Sequence, residues 1–426
     1  MKGVSFKIID GGICRCIKIG KRAFSSALPI PGDINHNQPL EDLYDISWLA
    51  SKKLPKVYKP LGVVRVVDLF CGCGGLTLGI REACRGIGRK FEAVFASDIN
   101  KHALSIYESN FKPQFLSADP IEKSIDGGLG AELTQAERRF VEKIGRIDIL
   151  VAGPPCQGNS NLNNYTRRDD PKNLLYLRAV RCAEILRPAS VIIENVPGVK
   201  YEKHGVLQTA EQFLLGLGYH VDCAVVPMRM IGVPQTRKRM ILIASLASDI
   251  KIKNVVAEAK MAERPLSWAC GDLLEKYDAG STFDSSAAHS LTNQARIHYL
   301  FEHDLYNLPD DQRPDCHRLK PHTYPAVYGR MWWDRPAPTL TSGFGCCGRG
   351  RFVHPLRERT LTPHEAARLQ YFPDFFDFSN MGRTGMALAI GNAVPARAGY
   401  VLAIPLLRAA FENSDIGSSE NGHDGA

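Results

Sequence analysis

Beginning at Val63, short β-branched runs alternate with segments of helical spacing, and this rhythm limits the chain to few architectures. "VVRVVDLF" (63–70) is apolar almost throughout, as a strand buried on both faces must be. A glycine turn follows, then "LTLGIREACRGIG" with its apolar residues at helical spacing. The pair recurs in "FEAVFASDI" (91–99) and "NKHALSIYESNF". Further strands are predicted at "RIDILVAG" (146–153), "ASVIIENV" (189–196), "HVDCAVVPM" (220–228) and "RMILIAS" (239–245), with "NLLYLRAVRCAEILR" a helix among them. Apolar strands separated by helices predict an α/β fold, its mainly parallel sheet covered on both faces.

The rhythm divides the chain. Residues 1–60 carry no strong periodicity and are read as an N-terminal extension of unassigned role. Residues 61–247 hold the α/β pattern, and 248–385, richer in His, Pro and turns, are read as a smaller domain. Within it "TPHEAARLQYF" (362–372) predicts a helix capped by Thr362, with Pro363 at its first position. Residues 386–412 resume an apolar helical pattern that returns to the first domain, and the small, polar stretch 413–426 reads as a disordered tail. No apolar run reaches the roughly 18 residues that span a bilayer, and the first residues do not resemble a secretory signal. The twelve cysteines include no C-x-x-C pair, so reduced thiols and a cytoplasmic location are expected.

Chemistry concentrates where strands end. "DLFCGCGG" (68–75) joins a strand to a helix, where small residues and free backbone N–H groups let a ligand come close. A nicotinamide-binding turn would place glycine where Thr77 stands. Asp98 ends the second strand, where a carboxylate can accept two ribose hydroxyls, and Asp119 follows the third. Cys156, in "GPPCQG", lies beyond another strand end on a loop stiffened by Pro154 and Pro155, a setting for a nucleophilic thiolate rather than a core thiol. Glu194 comes off an apolar strand, where an unpartnered carboxylate is costly. Arg237 and Arg239, two apart in "QTRKR", can address one object if they lie on a strand. A net charge of +8, with Arg, Lys and His mixed among aromatics in the second half, fits a polyanionic partner.

With these residues in hand, the chain resembles the DNA (cytosine-5)-methyltransferases from about Val63 to about Leu407. "DLFCGCGG" is similar to that family's methyl-donor loop, "GPPCQ" to its nucleophile motif, "ENV" to its glutamate motif and "QTRKR" to its arginine motif. "RTLTPHEAARLQYFP" and "GNAVP" are similar to its two late motifs, and "YGRMWWDRPAPTLTS…GRGRFVHP" looks most like bacterial members of the Dcm kind. The resemblance implies a Rossmann-like, S-adenosylmethionine-dependent methyltransferase sheet with a smaller target-recognition domain. It implies that Cys156 adds to carbon 6 of a flipped cytosine, that Glu194 bonds ring nitrogen 3, and that Arg239, with Arg237 close by, lies near oxygen 2. Phe70, Gly72, Gly74 and Pro155 fall to S-adenosyl-L-methionine, with Asp98 on the ribose, Asp119 on the adenine amine, Ile99 covering the adenine, and Asn392 in the returning segment. Ile99 and Asn159 depart from the aromatics commoner in the family at those places. Double-stranded DNA is the implied partner of a monomer, alone or beside a cognate restriction endonuclease.

Arg330, Trp333, Arg349 and Arg351 are expected to read DNA, because their segments are basic, loop-like and variable. Three rivals stand beside this reading. One is an RNA methyltransferase of the same fold, although its Cys-Phe-Thr signature is absent. The second is a catalytically dead DNA-binding relative, which an intact Cys156 and Glu194 oppose. The third is a nicotinamide dehydrogenase, which Thr77 opposes.

Overall fold

A computed structural model describes residues 3–32, 37–155, 171–319, 326–379 and 381–416. Three strands, β1 (Val4–Ile9), β2 (Gly12–Ile19) and β3 (Arg22–Pro29), form an antiparallel meander at the N-terminus. Seven more, β4 (Val63–Leu69), β5 (Lys90–Ser97), β6 (Phe115–Ser117), β7 (Ile149–Ala152), β8 (Ser190–Asn195), β9 (His220–Pro227) and β10 (Lys238–Ser245), build the main sheet. Its order is β6-β5-β4-β7-β8-β10-β9. β4 to β8 pair in parallel, while β10 runs antiparallel to both β8 and β9. The order reverses outward from β4, and ligands of open α/β sheets sit beyond the strand ends at such a switch.

Helices Gly75–Gly86 and Ala396–Ile416 cover one face, over Val64, Val66, Val151 and Ile192. Helices Gln135–Ile144, Leu175–Leu186 and Val206–Gly216 cover the other, over Val67, Leu69, Leu150 and Ile193. Burial of each such aliphatic side chain contributes about 1.5–3 kcal/mol. The first two helices approach backbone to backbone. A Cβ at Gly75 would overlap the carbonyl oxygen of Val394, one at Gly79 that of Ala396, and one at Gly399 that of Leu76. Three glycines therefore let the returning segment close onto the helix that carries the glycine turn. The returning helix runs through Ile416, into the stretch read as a tail, and 417–426 lie outside the described residues.

The first 60 residues are more organised than their sequence predicts. Asp10 and Gly11 take left-handed φ values of 49° and 73°, the turn that matches strand twist between β1 and β2. Helix Leu40–Leu49 follows, and its acids hold distant parts of the chain. Asp45 receives Arg264 at 2.7 Å and Arg397 at 2.8 Å, while Asp42 receives Arg264 at 2.6 Å. Arg15 of β2 meets Glu82 of helix Gly75–Gly86 at 2.8 Å, beside Arg85 at 2.7 Å. The extension is thus packed into the core of the molecule. Between 259 and 379 regular structure is short: helices Leu266–Cys270, Leu291–Glu302, Asp315–Arg318 and Pro363–Leu369, with isolated bridges. Thr362 and Glu365 close a reciprocal capping box on the last of these.

The glycine contacts set a testable cost. Gly79→Val should destabilise the fold by about 3 kcal/mol, because two backbones would have to part. Gly128→Ala, whose Cβ meets nothing within 4 Å, should stay within about 0.5 kcal/mol of wild type. Urea unfolding of the two variants reads both, and equal midpoints would refute the packing argument.

Candidate active site

The parallel strands end on one rim, and the turn after β4 is built by backbone conformation. Phe70, Gly72 and Gly74 have φ of 55°, 54° and 88°, a region that L side chains seldom adopt. Gly74 also leaves no room, since a Cβ there would press into Phe111 and Tyr107. Gly72 differs: its Cβ position faces open space, so its φ, and not crowding, selects glycine. Beneath the turn Thr77 Oγ1 donates to Asp68, and burial pushes the Asp68 carboxyl up to about 8. The residue that breaks the nicotinamide pattern thus anchors the helix to the strand below it.

Asp98 buckles the turn from β5. Its Oδ2 accepts from Gly72 N at 2.9 Å and its Oδ1 from Asn100 N at 2.8 Å. Ile99 next to it is 71% exposed, an aliphatic surface at the mouth of the rim. Asp119, two residues past β6, is exposed and paired with Lys123 at 2.7 Å. Asn392 is exposed at the end of helix Arg383–Asn392. Cys71 and Cys73, inside the turn, are buried, and burial pushes the Cys73 thiol up to about 12, which makes it a packing residue.

The Gly-Pro-Pro loop begins where the β4 turn begins. Gly153 N donates to Leu69 O at 3.1 Å, and Asn195 Nδ2 donates to Pro154 O at 3.3 Å. Pro155 is half-buried at the end of this described stretch, and Cys156 and Asn159 lie outside the described residues. Glu194 stands over the loop. Its Oε2 is 3.8 Å from where a Cβ on Gly153 would lie, and Phe70 O is 3.5 Å from that same point. Acid, loop and turn thus converge around Gly153.

β10 supplies the counter-charge through its register. Ile241 pairs with Glu194, so Arg239, two residues earlier, leans diagonally across the same face. Arg239 Nε reaches Glu194 Oε1 at 2.6 Å. Burial pushes the Glu194 carboxyl above the usual carboxylate range, while Arg239 and then Arg237 pull it back. The result is an acid that holds its proton more readily than a surface glutamate, aimed at the junction of two loops.

Several expected DNA contacts need correcting. Arg330 and Arg351 are nearly buried. Arg330 donates to Pro355 O at 2.8 Å and meets Asp304 at 3.1 Å. Arg351 donates to Tyr306 O at 2.6 Å and Arg330 O at 2.9 Å. Both guanidinium groups satisfy the backbone of the small region and are withdrawn from its surface. Trp333 packs inward near His354, 5.9 Å between ring centroids. Arg349 alone of the four is exposed. Arg237, read as a partner of Arg239, precedes β10 and is only 1% exposed. Residues the motifs left unassigned surround it: Gln235 and Gln370 are fully buried and bonded to one another.

Removing Arg239 exposes the electrostatics. A carboxyl held above its unfolded value binds its proton more tightly in the folded chain. The stability it lends is full below the unfolded value, about 4.3, and is lost as pH rises through the folded one. Arg239→Met should therefore cost about 3 kcal/mol near neutrality, with a smaller deficit at pH 5 than at pH 8. Urea unfolding at both values checks this, and a constant deficit would exclude Glu194 as the cause.

Comparison with known proteins shows the family of the chain. The profile of the family described as C-5 cytosine-specific DNA methylase matches residues 64–406. Type II methyltransferase M1.BsuMI of Bacillus subtilis (strain 168) is 48% identical over 372 residues, covering 87% of each chain. Type II methylase M.HgiDII of Herpetosiphon aurantiacus is 33% identical over 80% of this chain and 95% of its own. The crystal structure of S. pombe Dnmt2 methyltransferase superposes with a TM-score of 0.56 at 19% identity, covering 81% of this chain and 98% of that one, a likeness of fold. Matched by the family profile from 64 to 406, and 48% identical to a Type II methyltransferase over 87% of its length, the chain belongs to the C-5 cytosine-specific DNA methylase family.

Proposed function

We propose that the chain transfers a methyl group from S-adenosyl-L-methionine to carbon 5 of a cytosine flipped out of duplex DNA, by way of a covalent bond to Cys156. It is a DNA cytosine-5 methyltransferase of the Type II restriction-modification kind, by its family and its 48% identical relative. The observation that carries the finer reading is the placement of Glu194, buried, paired with Arg239, and poised over Gly153 where the β4 turn and the Gly-Pro-Pro loop meet.

The turn fits the donor. Gly72 faces open space, Ile99 offers an uncovered apolar face, and Asp98 stiffens the turn from below. Phe70, Gly72, Gly74, Asp98, Ile99, Asp119, Pro155 and Asn392 would hold S-adenosyl-L-methionine, which supplies an electrophilic methyl group and leaves as S-adenosyl-L-homocysteine. The chemistry of this chain's residues is then fixed by electron demand. Cytosine carbon 5 is a poor nucleophile, so the Cys156 thiolate adds to carbon 6 and electron density moves toward nitrogen 3 and oxygen 2. Glu194 meets nitrogen 3 with a proton, and Arg239 faces the developing charge on oxygen 2. Carbon 5, made electron-rich by the Cys156 adduct, would then take the methyl group that the donor supplies. A base takes the carbon-5 proton, the C6–S bond breaks, and the thiolate is restored. Because carbon 6 is hidden in the stack, the base must first leave the helix. Pro154 and Pro155 limit the freedom that the thiol loses on reaching this geometry.

Purified protein, duplex DNA of mixed sequence and methyl-labelled donor should yield labelled 5-methylcytosine at one defined site. Cys156→Ser should abolish it. A duplex carrying 5-fluorocytosine at that site should trap the wild-type chain covalently, since fluorine cannot leave as a cation. Methylation that survives Cys156→Ser would sink the mechanism. Glu194→Gln keeps a hydrogen-bond donor but cannot deliver a proton, so kcat should fall roughly 10²-fold. The wild-type rate should decline as pH rises through the raised Glu194 value, and the variant should lose that decline. A pH–rate profile for each distinguishes the two.

A further inference from the structure

Arg237 sits two residues from the Arg239–Glu194 pair, yet its side chain turns away from the rim into a buried joint. Its Nε donates to Gln235 Oε1 at 2.9 Å, and its Nη2 donates to Gly391 O at 3.0 Å and to Leu340 O. Leu340 N donates to the same Gln235 Oε1 at 3.0 Å. The amide of Gln235 reaches Leu369 O at 3.3 Å and Gln370 Oε1 at 3.2 Å. Gln370 in turn donates to Ile390 O at 2.7 Å and Ala393 O at 3.1 Å. On the backbone, Thr236 N donates to Ala337 O at 2.9 Å, and Ala337 N donates to Pro234 O at 3.0 Å. A Cβ on Gly391 would collide with the backbone of Thr341 and Ser342. Four pieces of chain therefore meet at one point: the lead into β10, the segment 337–342 of the small region, the end of helix Pro363–Leu369 at Leu369 and Gln370, and the stretch 390–393 that returns to the sheet.

The segment 337–342 continues from a half-buried aromatic pair that an exposed arginine overlies. Trp332 stacks on Tyr306, 5.4 Å between centroids and 9° from parallel. Arg335, exposed, lies 5.0 Å over the same indole. An arginine on an aromatic face can contact a phosphate or a base edge. From Arg335 to Leu340 is five residues, and Leu340 is bonded to the residue next but one to Arg239.

We propose that Gln235 and Arg237 are positioning residues that couple the recognition segment to the catalytic pair. A shift of 332–340 on meeting the wrong sequence would be carried through Leu340 and Arg237 to the start of β10, and so to Arg239 and Glu194. This rests on the function proposed above. A joint made of directional hydrogen bonds suits that role better than apolar packing, because a guanidinium and two amides fix angle as well as distance. Lysine cannot reproduce it, since one ammonium does not span the two carbonyls and the amide in a fixed plane.

The test compares methylation of the cognate duplex with that of duplexes changed by one base pair. In Arg237→Lys, kcat should fall more than KM rises, and the ratio of cognate to near-cognate kcat/KM should drop about tenfold, within the usual range for coupled sites. Gln235→Glu, which still accepts from Arg237 and Leu340 but no longer donates to Leu369 and Gln370, should show the same change in smaller degree, and carries the test alone if Arg237→Lys does not fold. Arg335→Ala should lower the ratio in the wild-type background and leave it unchanged in the Arg237→Lys background. Equal losses on cognate and near-cognate duplexes, or additive effects of Arg335→Ala and Arg237→Lys, would overturn the coupling while leaving the methyltransferase reading intact. Wild-type protein that methylates no duplex would overturn that reading first, and the coupling with it.

Discussion

At three glycines no side chain stands between the helix after the glycine turn and the segment that returns at the end of the chain. At Gly75, Gly79 and Gly399 the two backbones touch, and this contact organises what surrounds it. It seals one face of the main sheet. It also holds the start of helix Gly75–Gly86, and with it the turn at Phe70–Gly74, in one orientation. Through Ile390–Ala393 it delivers the carbonyls that Gln370 and Arg237 bind. Backbone contact of this kind has no give, because no rotamer can relieve a shift. A site whose loops come from distant parts of the sequence gains its rigidity from such a fixed reference.

Much of this was legible from residue patterns, and the misses have physical causes. The six strands read from Val63 onward coincide with β4, β5, β7, β8, β9 and β10 to within a few residues, because each is a short apolar-rich run bounded by turn residues. The antiparallel direction of β10 was not legible, since direction is set by connection length and not by composition. The Thr362 cap was readable because its partners, Pro363 and Glu365, are local. The N-terminal meander announced itself only through Asp10–Gly11, a short hairpin signal set among weakly alternating strands. At the site, Glu194 and Arg239 could be named from the sequence, but their diagonal pairing needed the register. Burial was least legible: nothing in "QTRKR" distinguishes the arginine that points to the rim from the one that points inward.

Burial also sorts the acids of the rim into different tasks. Asp119 is exposed and paired with a nearby lysine, so it stays accessible from outside. Asp98 spends one lone pair of each oxygen on the backbone and keeps the others, which suits a group that shapes a turn and still accepts from a ligand. Glu194 lies deepest, where burial favours its neutral form and Arg239 favours its charged one. A carboxyl balanced in this way can gain or lose a proton without leaving its pair, which is what the proposed role of Glu194 asks of it.

The positive charge of the chain carries less information about its partner than its sum implies. Much of it is spent inside the small region, where regular structure is sparse and backbone carbonyls have no ladder to join. Arg330 and Arg351 bind Pro355 O, Tyr306 O and Arg330 O, and Arg264 binds Gly232 O. Arg359 holds Glu365 through both of its terminal nitrogens, and Arg368 holds Asp374 and Asp272. A guanidinium suits such work because it stays charged and offers five donors in one plane. An irregular loop region can thereby keep a defined shape without strands. It is that shape, joined to β10 through Gln235 and Arg237, which holds the half-buried Trp332 and the exposed Arg335 at a fixed distance from the Arg239–Glu194 pair.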